Sequence, residues 1–176
     1  MVSLRGLCIL IFLSKFNDLD TWATDIGNAY LEALTKEKVY IVAGPEFGER
    51  QGHILVIYKA LYGLRTSGLR WHERFADCLR ELGFTPCKAE PDIWFRPAGD
   101  HYEYIAVYVD DLAIAMKDPT TFLGILTEKY KFKLKGSGSI AFHLGCNFFR
   151  DETGTLCMAP KQYIEKMVAS YERMFG

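Results

Sequence analysis

A chain of 176 residues with 49% apolar residues and a net charge of −1 can bury a core as one domain, which excludes a disordered polyelectrolyte. The near-zero charge also excludes a globally basic nucleic-acid binder, while leaving room for a local basic track. The five cysteines, Cys8, Cys78, Cys87, Cys146 and Cys157, are odd in number and show no C-x-x-C pairing, so neither a disulfide framework nor a zinc knuckle is indicated and a reducing, intracellular setting fits.

The first apolar run, RGLCILIFL, follows Arg5 and precedes a small-residue pair at Thr21 and Ala23, the pattern of a weak signal peptide. It is too short to span a bilayer, and we read Val2 to about Phe16 as a buried helix. LDTWATDIGNAY then reads as a strand ending near Asp25 with a turn at Gly27 and Asn28. KVYIV and HILVIY are further short strands. After KALYGLRTSG, the positions Trp71, Phe75, Cys78, Leu79 and Leu82 recur at helical spacing, and Gly83 ends that helix.

DIWF leads to IAVYVDDLAIAM, where Asp110 and Asp111 fall between the apolar runs Ile105 to Val109 and Leu112 to Met116. The runs read as strands, so the acids sit at a hairpin tip. Adjacent carboxylates repel, and apolar flanks partly desolvate them, so a cationic partner is wanted there. The alternative is an ordinary solvated Asp-Asp turn. KDPTTFLGILTEKY opens another helix with Asp118 as N-cap and Pro119 in its first turn. In KYKFKLKG the lysines 129, 131, 133 and 135 alternate with Tyr130, Phe132 and Leu134, so on a strand they share one face. That face either follows phosphates or protects a sheet edge.

SIAFHLGCNFFRDETGTLCMA reads as a hairpin turning at Asp151 to Gly154, and a last helix carries Ile164, Met167, Val168, Tyr171, Met174 and Phe175 on one face, as core or as a docking face. Together these elements predict an α+β fold, a mainly antiparallel sheet with helices packed on one face in a ferredoxin-like pattern. If the strand ending at Asp25 lies beside the acidic hairpin, Asp25, Asp110 and Asp111 converge at one sheet edge. Hard divalent ions such as magnesium take such carboxylates together with water and substrate phosphates.

DIGNAYL, VYI, YKALYGLRTSGLRWHERF, AEPDIWF, IAVYVDDLAIA, FHLGCNF and YIEKM resemble, in order and spacing, the reverse transcriptase domain of copia-type long-terminal-repeat retrotransposons. The resemblance covers nearly the whole chain. It implies a polymerase palm with part of the fingers over residues 1–176, without the upstream fingers, thumb or RNase H. It also implies nucleotidyl transfer from a deoxynucleoside triphosphate to a primer 3′-hydroxyl on an RNA or DNA template. Two magnesium ions, with manganese as a substitute, would be held by Asp25 and Asp110, with Asp111 completing the cluster.

By the same resemblance Tyr30 lies under the sugar of the incoming nucleotide and excludes ribonucleotides, or else is a core aromatic. Tyr62 and Gly63 meet base or sugar and Arg65 meets phosphate, although Gly63 also reads as a strand end. The family continues with Gln-Ala-Pro, where this chain has Thr66, Ser67 and Gly68 and so lacks a fixed φ. Lys135, aligned through LKG, is a candidate proton donor to pyrophosphate. Phe142, His143, Leu144 and Gly145 align with the hairpin that grips the primer, with His143 satisfying a hydrogen bond rather than doing chemistry. The implied partners are template with primer, deoxynucleotides and the remaining domains of a polyprotein, in the cytoplasm, a virus-like particle or the nucleus, with no membrane. A second class of reading is a catalytically silent remnant that binds nucleic acid or a partner chain.

Overall fold

The computed structural model describes residues 1–175. In chain order it forms helix α1 (Leu4–Phe16), strands β1 (Asp20–Ile26), β2 (Leu34–Val42) and β3 (Ile54–Lys59), helix α2 (Ser67–Glu81), and strands β4 (Thr85–Pro86), β5 (Ile93–Ala98), β6 (His101–Tyr108) and β7 (Asp111–Met116). Helix α3 (Pro119–Glu128), strands β8 (Leu134–Ser139), β9 (Phe142–His143), β10 (Cys146–Arg150) and β11 (Leu156–Ala159), and helix α4 (Lys161–Phe175) follow. The chain divides into two compact units, one of Met1–Ile26 with the chain from Phe84 onward, the other of Gly27–Gly83.

The first unit is built on a six-stranded sheet in the order β4-β5-β6-β7-β1-β8, antiparallel at every pairing, and a three-stranded sheet β11-β10-β9. Helix α1 starts where the Ser3 hydroxyl accepts the Gly6 N–H at 3.1 Å. It buries Leu7 and Leu10, spaced for one face. These pack with Ala106, Ala113 and Ala115 of the sheet and with Cys146 and Phe148 of β10. Small alanines on the strands let the helix approach closely. The buried-helix expectation therefore holds for one face of α1, while Ile9, Phe12 and Phe16 remain exposed. Leu112, Ile114 and Met116, which alternate with the alanines of β7, are also fully buried, so β7 is covered on both faces.

The N-cap at Asp118 is as expected, its carboxylate accepting the Thr121 N–H at 3.0 Å. The lysine segment after α3 departs from expectation: residues 130–133 are not a strand, and β8 begins only at Leu134. The Lys129 N–H donates to Ile125 and the Phe132 N–H to Leu126, filling carbonyls left free at the end of α3 instead of a ladder. Lys131 takes φ 61° in this wrap. The alternation of burial survives without a strand, with Tyr130 and Phe132 buried and stacked at 6.0 Å and the lysines exposed.

Helix α4 carries no buried residue, so its apolar stripe is not core. Among the described residues no helix is long and apolar enough to cross a membrane.

The second unit pairs β2 with β3 in an antiparallel hairpin and adds a short 3-10 turn at Ala29–Glu32 and helix α2. Trp71, Phe75, Cys78 and Leu79 are buried, as their spacing predicts. Gly83 leaves the helix at φ 84°, a conformation that glycine adopts without steric cost.

Candidate active site

Antiparallel pairing places Asp25 of β1 directly across from Asp111 of β7. The preceding hairpin turns on Val109 and Asp110, because β6 ends at Tyr108 and pairs it with Asp111. Of those two central residues Val109 has positive φ, 58°, a region that glycine normally occupies. A β-branched residue there is strained, and strain of this kind concentrates at functional sites. The turn is anchored to the neighbouring strand where the Ile26 N–H donates to the Asp110 carbonyl at 2.9 Å. Two backbone devices thus hold all three acids at one sheet end.

The electrostatics follow from that placement. Burial raises the pKa of Asp111, and the charges of Asp110 and Asp25 raise it further. Asp25 is raised by burial and by Asp110, while Lys135 pulls it back down. Lys135 is the residue paired with Asp25 on the other side of β1, across β8. Asp25, Asp111, Lys135, Phe142 and His143 line one cleft of about 130 Å³, which Asp110 does not line. Three oxygen-bearing, mutually repelling carboxylates suit a hard divalent cation, which relieves the repulsion. Among the described residues, however, no three His, Cys, Asp or Glu side chains stand close enough together to hold an ion as they are.

The primer-hairpin candidates occupy a tight turn between β9 and β10. Leu144 at φ 48° and Gly145 at φ 76° both take left-handed backbone, and Cys146 pairs with His143. Phe142 is exposed, whereas His143 is only 3% exposed. Burial pushes the His143 imidazole down to about 4, so it is neutral at physiological pH. Its Nε2 has no hydrogen-bond partner, so the expected satisfying bond is not made through that atom.

In the second unit the rings of Tyr30 and Tyr62 meet with centroids 4.5 Å apart, tilted by 44°. Tyr30 follows Asn28, whose left-handed φ of 58° starts the 3-10 turn. Gly63 sits at φ 95°, so it is a turn residue that a side chain would strain. Arg65 is exposed just ahead of α2. Sequence reasoning missed Ser67: its buried hydroxyl donates to the Leu61 carbonyl at 2.6 Å, tying the Tyr62–Gly63 loop to the start of α2. This hydrogen bond fixes the loop one residue ahead of Gly68, the position where the expected pattern has a rigid proline.

Residues 1–174 match the family described as reverse transcriptase (RNA-dependent DNA polymerase), and the chain belongs to that family. Its relatives are Pol proteins of Ty/copia-type retrotransposons. It is 29% identical over 151 residues to a putative transposon Ty5-1 protein of Saccharomyces cerevisiae, covering 84% of this chain and 49% of that protein. It is 28% identical over 148 residues to a retrovirus-related Pol polyprotein from transposon RE1 of Arabidopsis thaliana, covering 82% of this chain and 10% of that one. With the corresponding polyprotein from transposon TNT 1-94 of Nicotiana tabacum it shares 23% over 176 residues, 97% of this chain and 13% of the relative. The chain therefore spans about half the length of the yeast relative and about a tenth of the plant polyproteins.

Proposed function

We propose that this chain is the catalytic palm, with part of the fingers, of an RNA-directed DNA polymerase that joins a deoxynucleotide to a primer 3′-hydroxyl. The observation that carries the reading is the cross-strand pair Asp25–Asp111 beside the strained Val109–Asp110 turn, in a chain of the reverse transcriptase family. When bound, a pair of magnesium or manganese ions supplies charge neutralisation at the attacking hydroxyl and at the departing pyrophosphate. Asp25, Asp110 and Asp111 are the residues that would hold these ions.

The chain's own groups do the positioning. Lys135, paired across from Asp25, presents an ammonium proton to the pyrophosphate oxygen that gains charge. In the second unit the Tyr30 ring, braced on Tyr62, excludes a 2′-hydroxyl, while Tyr62 and Gly63 meet base or sugar and Arg65 meets phosphate. Phe142, His143, Leu144 and Gly145 hold the primer end, where left-handed turn backbone permits close approach. The partners are primed RNA or DNA template, deoxynucleotides and the other domains of a longer Pol protein.

A second reading, a silent remnant that binds nucleic acid or a partner, draws on the absence of a closed three-donor group among the described residues. Primer extension decides between them. The chain joined to the flanking segments of a plant relative is expected to extend a primed RNA template only with divalent metal, and Asp110→Asn to abolish extension. An inactive joined chain with intact fold contradicts the polymerase reading.

A further inference from the structure

The pairing of β1 with β8 slips by one residue next to the acids. Ala23 pairs with Gly138, but Asp25 pairs with Lys135, so Thr24 alone faces Gly136 and Ser137. Gly136 takes φ 61°, the left-handed glycine that opens one common kind of β-bulge. Thr24, 3% exposed, spans the bulge with its hydroxyl, donating to the Lys135 carbonyl at 3.2 Å and meeting the Ser137 hydroxyl at 2.7 Å. With the Thr24 proton given to the carbonyl, Ser137 is the donor in the second bond.

Register decides what this does. In an unbroken ladder Ala23–Gly138 continues to Asp25–Gly136 and Ile26–Lys135, and a one-residue slip sends every side chain to the other face. Lys135 then shares a face with buried Ile26 and not with Asp25. The bulge reverses that, and Asp25, Lys135, Thr24 and Gly136 line the same cleft. We propose that Thr24 is a positioning residue whose two hydrogen bonds across the Gly136 bulge turn Lys135 onto the face that carries Asp25. The consequence for catalysis rests on the role assigned to Lys135 above, whereas the placement of the lysine does not.

A zero-length carbodiimide cross-link reads this placement directly, because it joins a carboxylate only to an amine beside it. Peptide mapping by mass spectrometry of the full chain is expected to show Asp25 linked to Lys135 in wild type and in Thr24→Ser, which keeps the hydroxyl. In Thr24→Val, whose shape is retained, the yield falls about tenfold, as a change of face demands. Ser137→Ala, at an exposed position, lowers it about twofold by loss of one of the two bonds and covers the case in which Thr24→Val does not fold. Undiminished cross-linking in folded Thr24→Val, or in Ser137→Ala, overturns the proposal, as does absence of the link in wild type. Failure of the catalytic reading shows separately: Lys135→Met then leaves primer extension by the joined chain unchanged, while the Asp25–Lys135 link in the chain that keeps its lysine, and its loss in Thr24→Val, still stand.

Discussion

Asp25 and Asp111 stand across from each other on neighbouring strands, a like-charged pair in a position where sheets normally place opposite charges or apolar contacts. Burial and the adjacent Asp110 raise both pKa values, so the protein holds these carboxylates together at a cost in stability. Asp111→Asn should therefore raise the melting temperature at pH 7 without metal by about 1–2 °C. The effect has a pH signature. Because the folded pKa lies above the ordinary 3.8, the stabilising contribution is complete below 3.8 and is lost as pH rises through the folded value. Calorimetric melting from pH 3.5 to 7 checks this, with the gain in Asp111→Asn growing toward neutrality.

His143 gives the opposite slope. Its folded pKa of about 4 lies below the ordinary 6.5, so its contribution is present above 6.5 and is lost as pH falls from there toward 4. His143→Gln should flatten that loss, by at most about 3 kcal/mol, since each pKa unit is worth about 1.4 kcal/mol. Chemical denaturation at pH 7 and pH 4.5 measures the difference, and equal pH dependence in both proteins contradicts the burial argument.

The strained turn is a separate test of the site's backbone. Val109 at φ 58° occupies a conformation that costs a non-glycine residue about 1–2 kcal/mol. Val109→Gly should stabilise the chain by about 1 kcal/mol, a gain offset in part by glycine's greater freedom when unfolded. Denaturant midpoints check it.

Tyr30 and Tyr62 are predicted to act as one aromatic pair. Tyr30→Phe should keep the ring contact and leave sugar discrimination intact. Tyr30→Ala should cost about 1 kcal/mol of stability and lower discrimination against ribonucleotides at least about tenfold, measured in the joined chain. Unchanged discrimination in Tyr30→Ala returns Tyr30 to a packing role.

The acidic hairpin was legible because apolar runs flanked two acids, and so was α2, whose apolar residues recur at helical spacing and end at Gly83. The β1–β7 pairing that brings Asp25 to Asp111 is a long-range contact, and local pattern offers only the acids themselves as a hint. KYKFKLKG alternated like a strand, yet free carbonyls at the end of α3 captured its amides. Glycine and serine alternating through LKGSGS were a weak signal of the bulge, since glycine inside a strand marks such irregularities. Neither Thr24 nor Ser67 carried a local signature, because their roles depend on backbone atoms distant in sequence.

The claim that the three aspartates share divalent ions is tested most directly by titrating manganese into the chain in a calorimeter. Wild type is expected to bind and to melt at a higher temperature with metal, while Asp25→Asn combined with Asp110→Asn, folded and otherwise unchanged, does neither. Equal manganese affinity in wild type and the double variant would contradict the account.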